Sequence, residues 1–193
     1  MRLVVFLIVV ELLISGCSSI VATGGAEATG LALLHDRRNS ETILVDEGIE
    51  MQADIERNKH KILRNNTHIN VTAYNGMALV TGEADNTKLR NQIINQVRSI
   101  RGVKLVHDEI TLEPKSFLSS RSNDAFITTK VKTALTQIKH IPGFDATRVK
   151  VVTEKSAVYL LGFLYQKEGK AAIEKARRVE GVKKVVAVFE YID

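Results

Sequence analysis

The chain of 193 residues has no tryptophan and a single cysteine, Cys17. One thiol excludes an internal disulfide and any metal site built from several cysteines. Aromatic residues make up only 5% of the sequence, and no stacking platform for nucleic-acid bases accompanies its basic clusters. There is no glycine-rich phosphate motif between a strand and a helix, because Gly24-Gly25 falls in a stretch without period. No serine or cysteine sits in a nucleophile elbow. The histidines (His35, His60, His68, His107, His140) lack metal-ligand spacing, and the carboxylates form no acid–base couple that sequence can pair. A long hydrophobic run is missing as well: Glu11 interrupts the apolar opening, which is shorter than the roughly 20 residues of a membrane span. These absences point to a non-enzymatic protein without cofactor or metal and without a nucleic-acid partner.

What is present starts at that opening. Met1-Arg2, the apolar Leu3 to Ile14 and the small Ser15-Gly16 make residues 1–16 an export signal. Ile14-Ser15-Gly16-Cys17 resembles the lipobox of bacterial lipoproteins, whose cysteine becomes the acylated first residue of the mature chain. The resemblance implies that Cys17 carries palmitate and related acyl chains, since several chains anchor stably and one does so only marginally. Ser18 follows where an aspartate would resemble an inner-membrane retention signal, so the implied address is the periplasmic face of the outer membrane. The alternatives are an ordinary signal peptide with an incidental cysteine, or a buried N-terminal strand. Residues 17–45, rich in Gly, Ala, Ser and Thr, read as a lipidated flexible tether. Leu31 to Leu34 could be a short helix or a packing segment, and Asp36-Arg37-Arg38 a solvated or domain-packing one.

The whole chain is 45% hydrophobic, with enough Val, Ile and Leu for a core, and the remainder repeats itself. Ile69-Asn70-Val71-Thr72-Ala73 and Val149-Lys150-Val151-Val152-Thr153 alternate as half-buried strands do. Each is followed by a turn, Tyr74-Asn75-Gly76 or Glu154-Lys155-Ser156, and by a second strand ending in Gly82 or Gly162. A helix pattern comes next, in which Ile94, Val97 and Ile100 match Ile173, Ala176 and Val179 on one face. It stops at Gly102 or Gly181, before closing strands at 105–112 and 185–192. Helical segments at about Glu47–Arg64 and Asp124–Lys139 precede the hairpins. The expected organisation is domain 1 at 46–114, a linker at 115–121 and domain 2 at 122–193. The halves differ in charge: 46–113 hold 9 basic and 10 acidic residues, and 122–193 hold 13 and 8. An anionic partner therefore belongs to the second half.

The Val-x-Val strand, Gly82 or Gly162 after the second strand, and the Gly-Val pairs 102–103 and 181–182 resemble the BON domain. Two such units behind a lipobox are similar to dual-BON outer-membrane lipoproteins, with Ser122 to Val131 and Ile69 to Tyr74 carrying the likeness. The resemblance implies an α+β fold of two tandem αββαβ domains, each with two helices on a three-stranded mixed sheet. It also implies binding of anionic phospholipid (cardiolipin, phosphatidylglycerol) through the first helix of domain 2, and a role in outer-membrane integrity, including at the division site. In that helix Phe126 stands where the family has tryptophan, and Lys132 where it has arginine.

The residues themselves give a compatible pattern. Asp124 is a candidate N-cap, and Ile127, Val131, Ala134, Leu135 and Ile138 recur at helical spacing toward the sheet. Phe126, Lys130, Thr133 and Gln137 then point outward, with Thr129 and Lys132 beside them. With the lipid-binding role that the resemblance implies for this helix, the candidate phospholipid set is Phe126, Ile127, Lys130, Val131, Lys132 and Leu135. Lys175-Arg177-Arg178 with Lys183-Lys184 is a solvated face or an extension of the lipid-attracting field. The acidic first turns of the other copy's helix suit a structural or protein-binding domain. The rival expectations are a scaffold docking on envelope-assembly or cell-wall enzymes, and a periplasmic stress protein with holding activity.

Overall fold

A computed structural model describes residues 35–193; Cys17, the signal segment and residues 18–34 lie outside the described residues. In domain 1, α1 (Ser40–Lys59) and the short α2 (Lys61–Asn66) lead into β1 (Thr67–Tyr74) and β2 (Met77–Ala84). Then come α3 (Thr87–Ser99) and β3 (Leu105–Leu112). In domain 2, α4 (Leu118–Thr136) and a 3-10 turn (Ala146–Arg148) precede β4 (Lys150–Glu154) and β5 (Ala157–Tyr165). α5 (Gln166–Arg177) and β6 (Lys184–Ile192) complete it. Each sheet has its second strand in the middle, antiparallel to the first and parallel to the third. This is the αββαβ repeat expected from the pattern, with the mixed sheet that the resemblance implies.

Both leading helices start earlier than the sequence suggests. Helix α1 begins at Ser40 and not near Glu47, because the Asn39 side chain accepts the Thr42 amide hydrogen bond at 2.7 Å and supplies a cap inside the expected tether. Helix α4 begins at Leu118, inside the expected linker. Its serines look like linker residues, yet the Ser122 hydroxyl donates to the Leu118 carbonyl, a back-bond that a helix tolerates.

Alternation along the central strands divides their side chains between two cores. In β2, Ala78, Val80 and Ala84 join α1, α3 and Leu63 of α2 in the domain-1 core. In β5, Val158, Leu160 and Leu164 join Ile127, Val131, Leu135, Ala172 and Ala176 in the domain-2 core. The opposite faces meet each other: Tyr74 and Leu79 pack with Tyr159, Leu161 and Val188, flanked by Met77, Val152 and Phe163. The two sheets therefore form one sheet-on-sheet seam, with helices on the two outer sides. β2 is buried at seven of its eight positions because it is covered on both faces.

Polar contacts rim the seam. Lys150 bonds Glu50 at 2.6 Å, the Tyr159 hydroxyl donates to Glu109 at 3.2 Å, and the Tyr74 hydroxyl accepts the Phe163 amide hydrogen bond. Asp36-Arg37-Arg38 proves to include packing residues. Arg37 makes a two-pronged pair with buried Glu168 of domain 2 (2.6 and 2.9 Å) and lies over the Tyr165 ring. Arg38 pairs with Asp46 of domain 1 at 2.6 Å and stacks on Tyr74. Gly82 shows how tightly the hairpin closes: a Cβ there would stand 1.9 Å from the His68 carbonyl oxygen.

Candidate functional site

The topology leaves one side of α4 open. Its inner side packs on the sheet and the seam lies on the other sheet face, so neither sheet covers its outer side. Phe126 is 59% exposed there, and Lys130 holds its ammonium 4.6 Å from the ring centroid, a cation–π contact. Lys130 also reaches the exposed Glu180 at 3.1 Å. Lys132, Thr129 and Thr133 are exposed beside them. An aromatic ring flanked by lysines suits a membrane interface: the ring enters the headgroup layer, and each lysine contributes on the order of 1 kcal/mol near anionic lipid.

The expected phospholipid set thus divides. Phe126, Lys130 and Lys132 are on the surface, whereas Ile127, Val131 and Leu135 are at most 1% exposed and belong to the core. The latter three cannot touch a bilayer; they fix the helix that presents the former. Of the structural glycines, Gly102 and Gly181 have φ of 98° and 94° but do not stop the helices. Helix α3 ends at Ser99 with Ile100 as its cap, α5 ends at Arg177 with Arg178 as its cap, and the two glycines shape the turns that follow. Gly162 lies where a Cβ would meet the Arg148 carbonyl. Of the basic cluster, Lys175 is half-buried and Arg177, Arg178, Lys183 and Lys184 are exposed.

Asp124 is not an N-cap. It lies inside α4, 6% exposed, and its two carboxylate oxygens accept the backbone N–H groups of Lys155 and Ser156 at 2.9 and 2.8 Å. Asp46 does the same for Asn75 and Gly76 at 2.7 and 2.8 Å. Each domain thus clamps its hairpin turn with a buried helix aspartate, at turns whose residues have positive φ. The matched pair, an aspartate about 30 positions before each turn, was the signal that sequence reasoning passed over.

A second group gathers where the domains meet. His68 and Glu83 of domain 1 and Glu154 of domain 2 bring ligand-type atoms within 4.8 Å of one another, although histidine spacing gave no hint of it. Lys155 places its ammonium 3.4 Å from Glu83 and 2.6 Å from Glu113, so the acids have a cation in reach. Burial, together with the charges of Glu83 and Asp124, pushes the Glu154 carboxyl up to about 7. Burial and nearby Arg121 lower His68. Asn70 donates to Glu154 at 3.3 Å. The arrangement is an ion network that ties the domains together through a proton-binding carboxylate.

The BON domain model matches residues 52–114 and 123–193. The chain is 32% identical over 180 residues to the outer membrane lipoprotein DolP of Haemophilus influenzae, covering 93% of this chain and 91% of that protein. It is 34% identical over 157 residues to the 21 kDa hemolysin of Actinobacillus pleuropneumoniae, covering 81% and 79%. Among solved structures, the C-terminal domain of CdsD, a structural protein of the Type III secretion system of Chlamydia trachomatis, covers 77% of this chain and 67% of that one. Its TM-score is 0.30 at 11% identity.

Proposed function

Since the chain belongs to the BON-domain family, with two copies in tandem, we propose that it is an outer-membrane lipoprotein whose second domain binds anionic phospholipid through the outer side of α4. The observation that carries this reading is the exposed Phe126 with Lys130 over its ring and Lys132 beside it, on a side that the seam leaves open. Two lysines and one phenylalanine bind weakly by themselves. Acylation at Cys17 would hold the domain at the bilayer, where raised local concentration makes a weak contact effective. The lipid faced is phosphatidylglycerol or cardiolipin of the periplasmic leaflet, and the role is maintenance of the envelope, the division site included. No helix among the described residues is long and apolar enough to cross a membrane.

The test is flotation with vesicles containing phosphatidylglycerol or cardiolipin. Loss of binding in the triple variant Phe126→Ala, Lys130→Glu, Lys132→Glu, with an unchanged melting temperature, supports the reading; unchanged binding removes it.

One observation favours a second reading for domain 1. Leu44, Met51 and Ile55 are exposed along α1, with Ile62 exposed beyond it, and their spacing sets them on one side of a helix. Such a stripe fits a protein partner. Site-specific crosslinking from Met51 in intact cells that captures one envelope-assembly or cell-wall enzyme would support a scaffold role.

A further inference from the structure

Behind the end of α4, the segment Ile138 to Ile141 runs along α5 and leaves a hollow of about 520 Å³. Its floor is apolar, formed by Ile138, Ile141 and Ala171. Its rim is basic: Lys167, Lys170, Lys175 and Arg178, with His140. None of these four cations has an ion pair among the described residues. Glu174, the acid of the lining, is 3.0 Å from Arg177, so its charge is already answered. Cations that lack acidic partners around an apolar floor are complementary to one kind of molecule, a small amphiphile with an anionic head.

The other domain is the internal comparison. There the helix is followed by α2, not by a loop carrying Pro142-Gly143. The largest hollow described on domain 1, lined by Val45, Gly48, Met51, Gln52, Glu56, Ser99, Ile100, Arg101 and Gly102, holds one acid and one base. Its volume is similar, but its charge is balanced. The basic rim is therefore particular to domain 2, and a hollow between leading helix and second helix does not bring it automatically.

We propose that this groove is a second lipid site, which takes the glycerophosphate end of a single anionic phospholipid. The phosphate meets the rim of Lys167, Lys170 and Arg178, and the first methylenes lie on Ile138, Ile141 and Ala171. This rests on the reading that domain 2 works against anionic lipid, and it adds a lipid held one molecule at a time to a surface that only touches the bilayer. Phe126 inserts a side chain into the headgroup layer; the groove accepts part of a lipid into the protein.

A short-chain lipid below its micelle concentration separates the two sites, because it offers a single molecule and no interface. Residues 37–193 form one compact unit containing all three apolar clusters, and its isoleucine methyl groups report from the groove floor. We expect dihexanoyl phosphatidylglycerol to shift the Ile138 and Ile141 methyl signals saturably, with dihexanoyl phosphatidylcholine and inorganic phosphate giving no such shift. Lys170→Gln and Arg178→Gln should each weaken the effect about fivefold, and Phe126→Ala should leave it unchanged. Silence of both methyl groups overturns the groove, as does an equal response to phosphatidylcholine. An equal response to inorganic phosphate overturns it too, because the site would then read only an anion. The readings fail separately. Groove silence with intact, Phe126-dependent vesicle flotation removes the groove alone; monomer binding with flotation indifferent to the α4 triple variant removes the α4 surface alone.

Discussion

Glu180 sits 3.1 Å from Lys130 and is 92% exposed, an acid placed next to the cation that would meet an anionic bilayer. It weakens the local field without being part of any core, so Glu180→Gln should strengthen binding to phosphatidylglycerol vesicles by up to about fivefold. Flotation at two salt concentrations checks this, and the gain should shrink at high salt. Asp124 has a different kind of role. Removing its carboxylate leaves two turn N–H groups, a buried one at Ser156 and a part-buried one at Lys155, without acceptors, and Asp124→Ala should cost about 1–3 kcal/mol of stability, read by urea denaturation. Glu154 carries the pH dependence. Its carboxyl is raised to about 7 by burial first and then by Glu83 and Asp124, against Asn70 and Lys155, which lower it. The folded state holds this proton more tightly than the unfolded chain does. The contribution is therefore fully present below about pH 4.5 and is lost as pH rises through 7, by at most about 3 kcal/mol. Glu154→Gln should match the wild type near pH 4.5 and exceed it in stability at pH 8; a difference independent of pH would contradict the assignment.

At the scale of elements, the hairpins and the second helices were legible because their signals are local. Period-2 alternation gave β1 and β4, and Gly102 and Gly181 marked the turns just beyond α3 and α5, which stop three and four residues earlier. β3 begins and ends where the apolar pattern places it. The leading helices were legible only in their middles. Asn39 caps α1 from inside a stretch that composition marks as tether, and Asp124 mimics an N-cap although its carboxylate is turned toward a hairpin in its own domain. A side chain's partner 30 residues away leaves no trace in local propensity. The candidate site followed the same division: helical spacing identified which side of α4 faces out, but a family-based residue set mixed that side with Ile127, Val131 and Leu135 beneath it. The close crossing of β1 and β2 gives an element-scale test. Gly82→Ala places a methyl against the His68 carbonyl at a backbone φ of 120°, so that variant should lose more than about 3 kcal/mol or fail to fold, visible as loss of the cooperative melt.

At the scale of the whole molecule, the seam explains a feature the sequence showed without its cause. Leu79-Val80 and Tyr159-Leu160-Leu161 are contiguous apolar runs, not alternating ones, because each central strand is covered on both faces. Which face meets which could not be read from the chain, since the contact joins residues as far apart as 50 positions (Glu109 and Tyr159) and 100 positions (Glu50 and Lys150). The Arg37 clamp fastens the segment before α1 onto domain 2 while α1 itself builds domain 1. Arg37→Ala leaves buried Glu168 with Arg148 at 3.7 Å and the Tyr165 amide, and should cost about 2–3 kcal/mol. Adding Glu168→Gln to that variant should recover part of the loss, measured by chemical denaturation of both.

The seam also bears on the order in which the protein comes into being. An exported chain emerges with its N-terminal half first. Until residues 150–192 follow, the completed first half shows Tyr74, Met77 and Leu79 to water. It is then one side of the seam, whose other side is still in transit. For that interval a newborn molecule has the surface of an unassembled subunit, and its neighbours in the same state carry the same surface. A chain broken off between β3 and α4 would stay in that condition permanently and should accumulate as oligomers or be degraded. The intact chain avoids this by carrying its own second subunit a few residues behind the first.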